Sequence, residues 1–310
     1  MAGRPPMPDP GASAERLTLT AGSLRLVLAP GLGGSIARFD WLGDGTSRPL
    51  MRGAGPDAEG TGATGALDCA CFPLVPYANR IRGGRFTFRG EAVRLASNKA
   101  HDPSPLHGQG WLAPWEVVRH NAAGAELRFR HEAGEWPWAY EARQTFTLTP
   151  DGLDVELTCT NLDTRPMPCG LGLHPFHPCD GSTHLATQVE GVWTVDASIL
   201  PVTRIPAEGP FDLTDRAICD QGLDNGFDGW SGTALIRWGQ DGPALRLTSP
   251  DAGFLQVYAP VGRGLFAVEP VQHANAALNA PETQWSELGL TVLGPGEARR
   301  LRARWTVEAG

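Results

Sequence analysis

The chain has 310 residues, a net charge of −8 and a hydrophobic share of 41 %. The length allows one large domain or two ordinary ones, and the acidity argues against a nucleic-acid or anionic-membrane surface. No apolar run is long enough to cross a bilayer as a helix.

Residues 1–15 are rich in Pro, Gly and Ala and lack an apolar core, so they read as a disordered tail and not as a signal peptide. The remainder, 16–310, reads as one domain. Leu24, Leu26 and Leu28 alternate with Arg25 and Val27, the pattern of a half-buried strand, and Ala37, Phe39 and Trp41 repeat it. Gly43-Asp44-Gly45 turns the chain, and 53–65 is a glycine-rich loop. Phe86 and Phe88 alternate in a strand that follows Gly83-Gly84. Residues 98–105 are a polar loop leading into Leu106-His107-Gly108. Strands follow at 115–118, 126–130, 142–148 and 153–159, the last two joined by the Asp151-Gly152 hairpin turn. Beyond His174 the pattern is looser until Leu223. Strands then fall at 234–238, 245–248, 255–258 and 266–269, and Leu301, Ala303, Trp305 and Val307 alternate in a final one. No segment carries an apolar stripe of helical period. Many strands at short spacing predict an all-β chain built as one large antiparallel β-sandwich.

The six cysteines, Cys69, Cys71, Cys159, Cys169, Cys179 and Cys219, contain no Cys-x-x-Cys pair. Scattered through a long chain, they read as buried thiols in a reducing compartment, which makes the cytoplasm the expected location. The ten tryptophans read mostly as core, with a subset able to stack on a flat ligand face.

The stretch Cys169-Gly170-Leu171-Gly172-Leu173-His174-Pro175-Phe176-His177 concentrates the chemistry. Leu171 and Leu173 share one face and Gly170 and Gly172 the other; glycines at alternate positions mean that something approaches that face closely. Pro175 lacks an N–H, so pairing is expected to stop there, leaving His174 at a strand end above a glycine-lined surface. Phe266-Ala267-Val268-Glu269-Pro270 mirrors it, a strand ending at a carboxylate before a proline. A histidine and a carboxylate facing each other can remove a proton at one atom and deliver one at another. Arg80, after Asn79, can fork hydrogen bonds to neighbouring hydroxyls. His107 lies in a glycine-flanked loop, where sites are common, and Asp224 is a further candidate. There is no Gly-x-Ser-x-Gly elbow, phosphate loop or dinucleotide fingerprint. Pro175 rules out His174 and His177 as two ligands on one helical turn. A metal site from His107, His174 and Glu269 remains the alternative chemistry.

Five segments in order, Asn79-Arg80-Ile81-Arg82-Gly83-Gly84-Arg85-Phe86, Leu106-His107-Gly108, Gly172-Leu173-His174-Pro175-Phe176, Leu223-Asp224-Asn225 and Val268-Glu269-Pro270, resemble the signature set of the aldose 1-epimerase (galactose mutarotase) family. The resemblance runs from about Leu17 to Val307. It implies a galactose mutarotase-like supersandwich with an open sugar cleft, Glu269 as general base, His174 as general acid, and Arg80, His107 and Asp224, with Asn79 beside them, as sugar-binding residues. Gln109-Gly110-Trp111 after Leu-His-Gly, and His177-Pro178 after His-Pro-Phe, depart from the galactose enzymes and bring the chain closer to a bacterial branch of the family. The expected activity is interconversion of the α and β anomers of a hexose or related aldose, with no cofactor, no metal and no nucleic-acid or membrane partner, in a monomer or homodimer. The rivals are a hexose-6-phosphate 1-epimerase, with Arg82, Arg85 and Arg89 near Arg80 as a phosphate clamp, and a non-catalytic sugar-binding module.

Overall fold

The computed structural model describes residues 15–53, 63–239 and 243–308. The expected tail, except Glu15, and most of the 53–65 loop lie outside the described residues. Among those described, helix is limited to 3₁₀ turns of three residues, and the strands form two large antiparallel sheets of eleven and nine strands with two small hairpin-like pairs beside them. The antiparallel β-sandwich is therefore observed, and no helix is long and apolar enough to cross a membrane.

The alternation seen in the sequence is what builds the core. In the nine-stranded sheet, Tyr140–Thr149 and Gly152–Asn161 pair along their whole length, with Thr149 opposite Gly152 at the turn. Their alternate residues Phe146, Leu148, Val155 and Leu157 point inward with Trp305, and meet Leu26, Leu28 and Phe39 of the eleven-stranded sheet in one cluster. Each fully buried side chain of this size contributes about 1.5–3 kcal/mol.

Five strands of the eleven-stranded sheet carry the candidate site: β1 (Cys71–Leu74), β2 (Gly172–Pro178), β3 (Leu223–Asp228), β4 (Phe254–Ala259) and β5 (Leu265–Val271). They lie in the order β1, β2, β5, β4, β3. Period two sends Leu173, Leu223, Leu255, Val257, Phe266 and Val268 into the core. The same period sends Phe72, His174, Asp224, Gln256 and Glu269 to the outer face, where a second apolar cluster includes Phe72, Leu74, Trp111 and Phe176.

Three expectations are corrected. The prolines do not end their strands: β2 runs on to Pro178 and β5 to Val271. Pairing is interrupted only along the seam between them, where Gly172 opposes Val271 and Phe176 opposes Ala267 but the three residues of β2 between them have no ladder partner on β5. The looser stretch before Leu223 contains strands at Thr183–Thr187, Gly191–Val195 and Pro201–Pro206. And the cysteines are not all thiols: Cys179 and Cys219 form a disulfide across 40 residues, while Cys69, Cys71, Cys159 and Cys169 are buried and unpaired. The pair closes because the end of β2 and the 218–222 turn both dock on the 260–264 turn: Cys179 N–H donates to Gly264 O at 3.0 Å, and Gly262 N–H donates to Asp220 Oδ1 at 2.7 Å.

Candidate active site

The outer face of β1–β5 floors a cleft of about 340 Å³, and all six residues singled out in the sequence line it: Asn79, Arg80, His107, His174, Asp224 and Glu269. The register that sets Gly172 opposite Val271 and Phe176 opposite Ala267 puts His174 opposite Glu269 on the neighbouring strand. Their side chains meet, His174 Nε2 lying 3.2 Å from Glu269 Oε1. Both are nearly closed off from solvent, at 8 % and 2 % exposure. Phe72 stacks on the His174 ring at 4.7 Å and Phe176 packs against it at 4.5 Å, fixing its plane. The second atoms of the pair, His174 Nδ1 and Glu269 Oε2, have no hydrogen-bond partner among the described residues.

Burial sets the electrostatics. It pulls the His174 imidazole down to about 3 and pushes the Glu269 carboxyl well above its ordinary value, with the nearby Asp224 adding to the rise and Arg80 opposing it. When the pair holds one proton, that proton therefore sits on Glu269 and not on His174. Burial also raises Asp224, whose Oδ1 accepts from Gln256 Nε2 at 2.8 Å, while Arg80 pulls it back.

The other wall is two loops locked together. Asn79 and His107 both adopt left-handed backbone, at φ 58° and 61°. His107 N–H donates to Asn79 O at 2.9 Å, and Asn79 N–H donates to His107 Nδ1 at 2.9 Å. The latter bond puts the imidazole proton of His107 on Nε2. Gly108 is obligatory beside it, since at φ 69° a Cβ would stand 2.1 Å from Val75 O. Arg80 is aimed by Asp102, which takes its Nε at 3.0 Å, and by Asn79 Oδ1, which takes Nη1 at 3.2 Å. Burial holds His107 neutral.

The alternating glycines have a protein cause. A Cβ on Gly170 would lie 2.2 Å from the His273 ring. That ring accepts Ala78 N–H on Nε2 at 2.9 Å, with Nδ1 at 2.8 Å from Ala274 O, so it props the loop that delivers Asn79 and Arg80. Sequence reasoning missed His273, Gln256, Asp102 and the cleft cations Arg52, Lys99 and Arg263. Gln256 had a usable signal, being one alternate position from Leu255 and Val257. Arg82, Arg85 and Arg89 do not line the cleft; Arg82 pairs with Asp196 at 3.4 Å. His177 faces the core, with Nδ1 2.8 Å from Leu50 O. Among the described residues, no group of three or more metal-binding side chains converges.

The model of the aldose 1-epimerase family matches residues 15–305. The chain belongs to the aldose 1-epimerase family. It is 34 % identical over 303 residues to the uncharacterized protein YphB of Escherichia coli K12, covering 93 % of this chain and 98 % of that one. It is 26 % identical over 243 residues to the uncharacterized protein YihR of the same organism, covering 74 % and 76 %. Among solved structures, a crystal structure of a candidate aldose 1-epimerase from E. coli K12 superposes with a TM-score of 0.85 at 31 % identity, over 96 % of this chain and 99 % of that one. A galactose mutarotase-like protein from Clostridium acetobutylicum superposes with a TM-score of 0.82 at 17 % identity, over 94 % and 95 %, a likeness of fold.

Proposed function

We propose that this member of the family is an aldose 1-epimerase in which Glu269 and His174 are the proton-transfer pair. The observation that carries the reading is the contact of His174 Nε2 with Glu269 Oε1 at 3.2 Å on the floor of a polar cleft. The reactive form is the carboxylate–imidazolium tautomer, reached from the neutral pair by one proton transfer across that contact. Glu269 takes the proton of the anomeric hydroxyl while His174 protonates the ring oxygen. The bond from the anomeric carbon to the ring oxygen breaks and an open-chain aldehyde forms. The pair is now a carboxylic acid and a neutral imidazole. After rotation about the C1–C2 bond, the ring hydroxyl attacks the other face of the carbonyl. It returns its proton to His174, and Glu269 returns one to the new anomeric oxygen. Protons balance over the cycle, and no cofactor enters it.

Arg80, His107 Nε2 and Asp224 hold the sugar hydroxyls in this reading, and Trp111 closes the apolar side of the cleft. A positioned acid and base supply roughly 10²–10⁴-fold each, without multiplying, because they serve one transition state.

The test is anomer exchange measured by NMR exchange spectroscopy over a panel of aldoses, for the parent, Glu269→Gln and His174→Asn. Each variant should lose most of kcat while keeping its fold and much of its sugar affinity. The double variant should be scarcely worse than the poorer single one. A folded Glu269→Gln with parental kcat removes Glu269 as the base. Sugar binding by the parent with no exchange above the solvent rate leaves a binding module instead.

A further inference from the structure

The cleft is cationic although the chain is acidic. Four of its lining side chains are Arg52, Arg80, Lys99 and Arg263. Arg80 is matched by Asp102 at 3.0 Å. Arg52 and Arg263 have no carboxylate partner among the described residues. Arg52 lies over Phe176 and within reach of the Tyr258 and Arg263 charges, and Arg263 is two residues from Leu265, so the two cations share one part of the cleft.

Arg52 is built into place. Its backbone N–H donates to Phe176 O at 2.8 Å, and its guanidinium lies over the Phe176 ring at 4.1 Å. One terminal nitrogen is spent on Leu67 O at 2.6 Å and Cys69 O at 2.7 Å. Its buried Nε has no partner among the described residues. Arg263, at the tip of the turn between β4 and β5, is exposed and makes no hydrogen bond or ion pair with any described residue. Burial, with a smaller contribution from the Arg263 charge, weakens the hold of Arg52 on its proton, while the neighbouring Cys69, Asp68 and Tyr258 oppose the change. Both guanidiniums line the cleft with donors to spare, so an anion bound between them could accept from both.

The position of that space selects the anion. Phe176 follows His174 on the same face of β2, so Arg52 sits about 7 Å along the strand from the proton-transfer pair. If His174 serves the ring oxygen, this is the direction of the exocyclic carbon, which hangs from the ring carbon bonded to that oxygen. Resting on the epimerase reading above, we infer that the substrate is an aldose with an anionic group, phosphate or carboxylate, on its exocyclic carbon, held by Arg52 and Arg263.

The experiment compares kcat/KM for anomer exchange of a neutral hexose, its 6-phosphate and the corresponding hexuronate, in the parent, Arg263→Gln and Arg263→Glu. Arg263 makes no internal bond, so its variants should fold, and circular dichroism checks this. The expected result is a preference of the parent for one charged sugar over the neutral one. That preference should fall about tenfold in Arg263→Gln and further in Arg263→Glu, and weaken as salt is raised. The 6-phosphate and hexuronate arms tell which anion the site takes. If the neutral hexose is exchanged and neither charged sugar is preferred, or if the preference survives Arg263→Glu, the anion subsite is overturned and the epimerase reading stands. If no sugar of the three is exchanged, both are overturned.

Discussion

Arg80→Ala separates the roles of binding and proton transfer in one variant. Asp102 and Asn79 occupy two N–H donors of Arg80, which leaves three of the five for sugar hydroxyls. The side chain is only 11 % exposed, so solvent screens these bonds little. A hydrogen bond from a charged donor is worth about 1.5–3 kcal/mol, so loss of one should weaken sugar affinity roughly 10- to 150-fold. A second consequence follows from charge. Arg80 opposes the rise of both the Glu269 and Asp224 carboxyls. Without it the charged forms lose a favourable neighbour, so both carboxyls titrate at still higher pH, and the alkaline limb of the pH–rate profile should move up. Anomer exchange by NMR at several pH values, with sugar affinity by calorimetry, reads both effects. Arg80→Lys should restore the position of the limb and only part of the affinity, since an ammonium supplies charge without the fork. A folded Arg80→Ala with parental affinity and an unmoved alkaline limb would refute the placement of Arg80 at the sugar.

Three further outcomes are expected. Because burial pulls His174 down to about 3 and pushes Glu269 up, the pair keeps its single proton from far below the ordinary histidine value to above the ordinary carboxylate value. The kcat/KM profile, corrected for uncatalysed mutarotation, should show no acid limb near the ordinary histidine value, and a limb near pH 6.5 that vanishes in His174→Asn would contradict this. Opening the Cys179–Cys219 bridge, by reduction or as Cys219→Ser, releases a loop of 40 residues and should cost up to about 4 kcal/mol on the chain-entropy model; an unchanged urea midpoint would show the bridge to be inert. Gly170→Ala puts a Cβ 2.2 Å from the His273 ring and should destabilise by about 1–3 kcal/mol, with sugar affinity falling as well because His273 props the Asn79-Arg80 loop; thermal melts and calorimetry test the two parts.

What the sequence disclosed follows the physics of alternation. The strands Tyr140–Thr149, Gly152–Asn161 and Ala298–Glu308 bury every second residue along most of their length, so their period is visible. Cys71–Leu74 is buried at all four positions and shows no period, so the strand beneath His174 was silent. Pro201–Pro206 is silent for the opposite reason, with no fully buried position. The six candidate residues stand in short motifs that the fold brings to one cleft. Residues that act on those six from outside the motifs, such as Asp102 on Arg80 and His273 on Ala78, carry no local pattern that marks them. The disulfide is hidden for a related reason, since Cys179 and Cys219 meet only through tertiary structure.

Pro175 and Pro270 open one seam of the sheet without ending either strand. A strand residue directs its N–H and C=O to the same neighbour, and successive residues alternate sides. Phe176 N–H bonds Ala70 O at 2.8 Å, on the β1 side, so the nitrogen of Pro175 faces β5. Gln272 N–H bonds Leu171 O at 2.8 Å, on the β2 side, so the nitrogen of Pro270 faces β2. The two missing donors therefore fall on the same seam, beside His174 and Glu269. The strands lose nothing on their other sides, where Pro175 pairs with Cys71 and Pro270 with Leu255. A proline in a sheet removes one bond on one side; two prolines set facing each other remove the ladder only where the side chains above it need to meet. In this sheet the His-Pro and Glu-Pro dipeptides are thus not strand endings but a local opening of one seam, with the histidine and the carboxylate directly over it.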